Sequence, residues 1–146
     1  MSILVCGGAG YIGAHVVRLL RQRGDRVVVV DDLSTSNAAR IGDTPLVRLD
    51  VATDEARSVL SNLMVDEDVT AVIHFSARKQ VGESVARPTW YYQQNIGGMA
   101  NVLAAMEDTG VDQMIFSSSA AVYGIPTAEV VTEDMAGHPI NPYGET

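Results

Sequence analysis

The chain has 146 residues, of which 47% are hydrophobic and 19% are charged, and its formal net charge is −8. These values predict one folded domain with a buried core and argue against a disordered chain. The negative charge argues against nucleic acid or an anionic membrane as a partner, and the longest apolar runs fall far short of the roughly 20 residues that span a bilayer.

The first part of the chain alternates between strand and helix patterns. Ser2–Cys6 is a short apolar run that stops at two glycines, which predicts a buried parallel strand followed by a turn. Apolar residues at helical spacing over residues 12–20, followed by Gly24, predict a helix. Four consecutive valines within residues 26–30 predict a second strand that is covered on both faces, because branched side chains suit a buried sheet.

The rest of the chain repeats this alternation. Residues 46–49, 70–75 and 113–117 predict three more strands, with a helix over residues 55–63 between the first two of them. The helix before the fifth strand ends at Gly110. It places five large apolar residues on one face, which is most simply a core face: Tyr92, Ile96, Met99, Leu103 and Met106.

This alternation predicts an α/β fold with a doubly wound parallel sheet of the Rossmann type, in one domain over residues 1–146. In such sheets, ligands bind outside the carboxyl ends of the strands, at the point where the strand order reverses. Functional residues are therefore expected in the loops that follow strands.

Three glycines lie between the first strand and the first helix with the spacing of a dinucleotide-binding turn: Gly7, Gly10 and Gly13. In such a turn the first glycine allows a tight bend, the second lets the backbone approach a pyrophosphate, and the third lets the helix pack closely. The helix N-terminus then supplies free amides and partial positive charge. An ordinary glycine-rich loop is the alternative, and the position directly after a strand favours the dinucleotide site.

Acidic residues end the next two strands. Asp31 ends the second strand, where a carboxylate accepts hydrogen bonds from ribose hydroxyls and repels a 2′-phosphate, so it favours NAD over NADP. Asp50 ends the third strand and could reach the adenine. The alternatives are a solvated turn for Asp31 and Asp32, and a plain loop carboxylate for Asp50.

Further segments are similar to those of a known enzyme family. They are HFSARKQVGES at residues 74–84, YYQQN at 91–95, FSSSAAVYG at 116–124 and NPYG at 141–144. With the glycine turn, they resemble the extended short-chain dehydrogenase/reductase family, and within it the UDP-hexose 4-epimerases, over essentially the whole chain. Ser76 and Ala77 depart from the alanine and glycine that the family usually has at these positions.

The resemblance implies NAD as the cofactor and a UDP-hexose as the substrate. It implies that Tyr143 is the catalytic base and that Ser119 holds the substrate oxygen. It also implies that Lys79 contacts the nicotinamide ribose and that Asn95 lies near the cofactor. Further cofactor contacts are implied at Gly7, Gly10, Tyr11, Ile12, Gly13, Asp31, Asp50, Val51, Phe75 and Ser117.

The activity so implied is epimerisation at C4, which interconverts UDP-glucose and UDP-galactose through a 4-keto sugar without net oxidation. Nucleotide-sugar dehydratases and decarboxylases are the nearest enzyme alternatives. Dehydration commonly uses a carboxylate pair just after the serine, where this chain has Ala120 and Ala121, so the sequence favours epimerisation. An epimerase of another nucleotide sugar and a non-catalytic NAD-binding module both stay open.

By the same resemblance, a motif lysine would lie four residues after Tyr143, at position 147, whereas the sequence ends at Thr146. We therefore expect this chain to lack that lysine, the last strands of the sheet and a small substrate domain, and to belong to a longer protein. A truncated product whose last sheet edge is uncovered is the alternative. An isolated chain with an open edge strand is expected to be poorly soluble and inactive.

The remaining candidate residues carry no predicted chemistry. The three histidines, His15, His74 and His138, are scattered and predict no metal site. His74 is interpreted as a satisfied core residue and Cys6 as a small buried apolar group. A lone cysteine and the lack of a secretory signal predict a cytoplasmic protein. In the family that the chain resembles, the apolar helix face described above helps to form a homodimer, which is the alternative to a core face.

Overall fold

A computed structural model describes residues 1–135 and 137–146, and it is built around one parallel sheet. The five strands are β1 (Ser2–Cys6), β2 (Arg26–Asp31), β3 (Leu46–Arg48), β4 (Ala71–His74) and β5 (Met114–Phe116). Their order in the sheet is β3-β2-β1-β4-β5, and every neighbouring pair is parallel. The strand order reverses between β1 and β4, so the predicted doubly wound sheet is confirmed and its ligand crevice is expected there.

Helices connect the strands. They are α1 (Tyr11–Gln22), α2 (Ala56–Asp66), α3 (Val81–Ala86), α4 (Pro88–Tyr91), α5 (Gly98–Thr109) and α6 (Pro142–Glu145). Helices α4 and α5 are joined without a break by a π-helical segment, Tyr92–Gly97, and together form what we call the long helix. Short 3₁₀ turns lie at Ala38–Ile41 and Ala120–Tyr123. A π-helical segment inside an α-helix is often found at a functional site.

Both faces of the central strands β1, β2 and β4 are buried, each against its own helices, whereas the edge strand β5 is largely exposed. On one face Leu4 and Val28 pack with Leu60 of α2 and Val102 of α5. On the other face, neighbouring strand residues such as Val29 pack against α1. Successive side chains of a strand point to opposite faces, which explains why the central strands are apolar at every position rather than at every second one.

The predicted core face of the long helix is wrong at most of its positions. Tyr92, Ile96 and Leu103 are 43%, 47% and 45% exposed, and of the predicted set only Met106 is fully buried. The buried stripe lies about one residue away, at Tyr91, Asn95, Gly98, Val102, Ala105 and Met106. Small residues let the helix lie close to its neighbours: a Cβ atom on Gly98 would be 3.0 Å from the Val51 side chain. The large apolar residues therefore mark an open face.

The element boundaries agree with the sequence patterns to within a few residues. Strands β3, β4 and β5 are one or two residues shorter than their apolar runs, and α2 extends beyond residue 63 to Asp66. Helix α3, which follows β4, was not predicted. Among the described residues, none of the helices has the length and hydrophobicity needed to span a bilayer. The same part of the chain holds no group of three or more potential metal ligands.

Candidate active site

Two adjoining cavities lie along the carboxyl edge of the sheet, where the fold predicts a ligand. The first cavity lies over the ends of β1 to β4 and is lined by Gly7, Gly10, Asp31, Asp32, Asp50, Val51, Phe75, Arg78 and Lys79, among others. The second cavity lies beyond β4 and β5 and is lined by His74, Phe116, Ser117, Ser118, Ser119 and Tyr143, among others. Ser76, Ala77 and Asn95 line both cavities, so the two cavities adjoin each other, and we call the pair the groove.

The glycine turn forms the floor of the first cavity. Gly7 has a φ of 76°, and a Cβ atom there would be 2.8 Å from the Ser76 nitrogen, so only glycine fits this tight bend. A Cβ atom on Gly13 would be 2.3 Å from the Gly7 carbonyl oxygen, so the helix can pack onto the turn only without a side chain. These two positions meet the steric requirements that the sequence pattern predicts for the turn.

The N-terminus of α1 is open to a ligand. Gly10 is the N-cap residue, and no side chain in the described part of the chain caps this end. The first amides of a helix have no partner within the helix, so those of Tyr11, Ile12 and Gly13 are available to an anion. The side chains of Tyr11 and Ile12 point into solvent and line neither cavity, so any cofactor contact at these residues is through the backbone. This cradle fits the pyrophosphate of a dinucleotide.

Asp31 fixes the loop after β2 to the glycine turn. Its buried carboxylate accepts hydrogen bonds from the amide of Ala9 at 3.0 Å, the amide of Leu33 at 2.9 Å and the hydroxyl of Ser36 at 2.5 Å. It also lines the first cavity. Its negative charge at this point is compatible with a ribose diol and opposes a 2′-phosphate, as the sequence predicts. Contact with the ribose itself stays a prediction.

A cluster of charged residues borders the same cavity and was not recognised as such from the sequence. The Arg78 guanidinium lies 2.7 Å from the Asp32 carboxylate and 3.7 Å from that of Asp50. Partial burial would raise the pKa of Asp32, but hydrogen bonds from Ser34 and Arg78 and the Arg78 charge outweigh it, so the pKa lies below its ordinary value. The sequence feature that could have revealed this cluster is the arginine in the loop after β4, directly before Lys79.

Lys79 and Asn95 occupy different parts of the groove. Lys79 is exposed and lines the first cavity but not the second. The buried Asn95 carboxamide accepts a hydrogen bond from the Arg78 amide at 2.8 Å and donates to the Arg78 carbonyl at 3.0 Å and to the Thr146 hydroxyl at 2.9 Å. Asn95 therefore links the loop after β4 to the end of α6.

The second cavity brings together the predicted serine and tyrosine. Ser119 begins the 3₁₀ turn Ala120–Tyr123, and its hydroxyl oxygen accepts a hydrogen bond from the Ala121 amide at 3.2 Å. Tyr143 lies in α6. A Cβ atom on Gly144 would be 2.6 Å from the Ala121 carbonyl oxygen, so α6 lies directly against that turn. The close packing at Gly144 explains how residues 24 positions apart line one cavity.

Two buried groups near the site are not suited to reactivity. Burial raises the pKa of Cys6 to about 12, with a smaller contribution from the charge of Asp31, so the residue stays a neutral thiol. His74 is 2% exposed, and burial lowers its pKa to about 4, which the Ser76 backbone partly opposes. Its Nδ1 atom has no hydrogen-bond partner among the described residues, so the prediction of a satisfied core histidine is wrong in that respect.

The chain is similar to known nucleotide-sugar enzymes over its whole length. The model of the "NAD dependent epimerase/dehydratase family" matches residues 3–146. UDP-glucose 4-epimerases of Lactobacillus helveticus and Bacillus subtilis are 45% and 42% identical to the whole chain, which covers 44% of each. The UDP-glucose 4-epimerase structure from Brucella ovis in complex with NAD has a TM-score of 0.92 at 41% identity, over 99% of this chain and 43% of that one. The chain thus spans less than half the length of these relatives.

Proposed function

The chain belongs to the NAD dependent epimerase/dehydratase family, and we propose that the protein interconverts UDP-glucose and UDP-galactose by NAD-dependent epimerisation at C4. One observation carries the proposal: the cavity lined by Ser119 and Tyr143 adjoins the cavity over the glycine turn and shares three lining residues with it. Such a groove can hold a dinucleotide along the sheet edge and a sugar beside the tyrosine. Relatives named UDP-glucose 4-epimerase support the choice of substrate.

NAD fits the residues that line the first cavity. The uncapped amides of α1 would hold its pyrophosphate, and Asp31 would face the adenosine ribose. Family membership and solved relatives in complex with NAD support this cofactor. When bound, NAD supplies reversible hydride transfer, which lets the hydrogen at C4 leave one face and return to the other.

The residues of the second cavity would handle the proton. Tyr143 would accept the C4 hydroxyl proton as the sugar becomes a 4-keto sugar and return it after the ketone has turned over. Ser119 would hold the same oxygen. Because the Ser119 oxygen already accepts a hydrogen bond from the Ala121 amide, its own proton is free to be donated to the substrate.

Dehydration is the weaker alternative within the family. It needs a further acid and base, and the positions after Ser119 are Ala120 and Ala121. Glu145 lines the second cavity, but its carboxylate accepts a hydrogen bond from the Tyr92 hydroxyl. The site therefore favours simple removal and return of hydrogen.

The test is an NMR assay of the protein expressed from its complete reading frame, with UDP-galactose and no added reductant. UDP-glucose should form with no net production of NADH. Conversion of a different nucleotide sugar alone would refute the proposed substrate, and a 4-keto-6-deoxy product would establish a dehydratase. Bound NAD without any conversion would favour the binding module.

The open face of the long helix is the proposed homodimer interface. Tyr92, Ile96 and Leu103 form an exposed apolar stripe. Ile96 also lines the second cavity, whereas Leu103 lies outside it, so a twofold axis would pair the stripe with its copy at the Leu103 end. The family resemblance assigns the same helix to a dimer contact. A second copy of the chain is therefore the proposed occupant.

Replacing Leu103 by Glu should convert the dimer to a monomer at micromolar concentration, because a charge would be buried in an apolar contact. Sedimentation velocity measures the change. Val65 of α2 is the matched control, since it is also an exposed apolar helix residue, at 63% exposure, and Val65→Glu should leave the dimer intact. A monomeric wild-type protein, or equal effects of the two variants, would contradict the proposed interface.

A further inference from the structure

We propose that Arg78 binds the adenosine half of the cofactor, as a clamp across the first cavity that recognises the nucleotide through its charge and its flat guanidinium. The inference rests on the proposed binding of NAD. It adds a residue that neither the glycine turn nor the acidic end of β2 supplies.

The Arg78 side chain joins three elements that border the cavity. Its Nη2 atom lies 2.7 Å from Asp32 and its Nη1 atom 2.6 Å from the Ser34 hydroxyl, both in the loop after β2. Its Nε atom donates to the Gln94 side chain at 2.9 Å. Asp50, after β3, lies 3.7 Å away. The Arg78 side chain is only 20% exposed, and these partners hold its guanidinium on three sides. It therefore loses little conformational entropy when a ligand binds.

The position of these partners identifies the half of the dinucleotide. In a doubly wound fold the carboxylate that ends the second strand faces the adenosine ribose. Asp31 is that carboxylate, and Asp32 and Ser34, which hold the Arg78 fork, follow it directly. Tyr143 and Ser119 line the other cavity, which does not include Arg78. The guanidinium is therefore placed at the adenosine end and away from the reacting sugar.

The charge of the cavity favours a cation at this place. Asp31, Asp32 and Asp50 all line the first cavity, and a dinucleotide would add the charge of its own diphosphate. Arg78 and Lys79 are the basic residues in this lining. Among the described residues, Arg78 is the only ion-pair partner of Asp32 and Asp50, so without it both carboxylates would repel an anionic ligand more strongly. Trp90 lies on one side of the guanidinium: the Arg78 Cζ atom is 5.3 Å from the centroid of the Trp90 ring. The other side of the guanidinium can therefore pack against the adenine.

The experiment compares the two halves of the cofactor by calorimetry on cofactor-free protein expressed from the complete reading frame. ADP is the probe for the adenosine half and nicotinamide mononucleotide is the probe for the other half. Arg78→Met should weaken ADP and NAD binding by about ten- to hundredfold, the range for hydrogen bonds that involve a charged group. Binding of nicotinamide mononucleotide should stay within about twofold.

Arg87→Met is the matched control. The Cζ atom of Arg87 also lies over Trp90, 3.9 Å from the ring centroid, but Arg87 forms an ion pair with Glu83 and does not line the first cavity. Its replacement should therefore leave ADP binding unchanged. If Arg78→Met does not fold, Arg78→Lys is used instead. Lysine keeps the positive charge but lacks the planar guanidinium, so ADP binding should still weaken more than binding of nicotinamide mononucleotide. Unchanged ADP binding, or equal losses for ADP and nicotinamide mononucleotide, would overturn the inference. Failure of the wild-type protein to bind NAD would instead refute the proposed function.

Discussion

Replacing Tyr143 by Phe should lower kcat for UDP-galactose by about 10²- to 10⁴-fold, the usual contribution of a positioned general base. The substitution removes only the phenol oxygen. The Asn141 side chain, which accepts a hydrogen bond from the Gly144 amide at 2.9 Å, should still cap α6 and hold the ring in the second cavity. Initial rates by NMR, with the protein saturated in NAD, measure the effect.

Two measurements distinguish the loss of the catalytic base from a general disturbance of the fold. Tyr143 does not line the first cavity, where the adenosine half of the cofactor is proposed to bind, so the ADP dissociation constant of the variant should match that of the wild-type protein. Tyr123 is the matched control, because it lies in the neighbouring 3₁₀ turn and lines neither cavity of the groove. Tyr123→Phe should keep nearly full activity. A Tyr143→Phe enzyme with more than a tenth of the wild-type kcat would show that another group accepts the proton.

The sheet and the glycine turn could be predicted because local chemistry determines them. Strands buried on both faces need apolar side chains throughout, so the run of valines in β2 predicts a strand that is covered on both sides. Gly7 and Gly13 lie where a Cβ atom would meet backbone at 2.8 and 2.3 Å. A requirement of this kind is visible in a sequence because only one residue type satisfies it.

The face of the long helix could not be predicted, because side-chain size does not reveal which side is covered. Helix α5 packs on α2 and Val51 through small residues such as Gly98, and the larger Leu103 is left outside. The Arg78 cluster was missed for a related reason. Its partners, Asp32 and Gln94, are 46 and 16 residues away, and the sheet order alone brings them together. Contacts of that type depend on topology rather than on local sequence.

His74 should make the folded chain less stable as the pH falls from 6.5 to 4, by about 3 kcal/mol in total. Burial lowers its pKa from 6.5 to about 4, so within this range the unfolded chain binds a proton that the folded chain does not. The stability contribution of the neutral ring is therefore complete above pH 6.5 and is lost as the pH approaches 4. Urea unfolding at half-unit steps of pH measures the slope.

His74→Leu should remove most of this slope, because leucine has a similar volume and does not titrate. His15, which is exposed on α1, is the matched control, and His15→Gln should leave the slope in place. The carboxylates whose pKa values are lowered by arginine partners, such as Asp108 beside Arg57, lose their contribution only below about pH 4. The two ranges are separate, so a slope between pH 6.5 and 4.5 that survives in His74→Leu would show that a group other than His74 titrates there, which would contradict the lowered pKa of the buried imidazole.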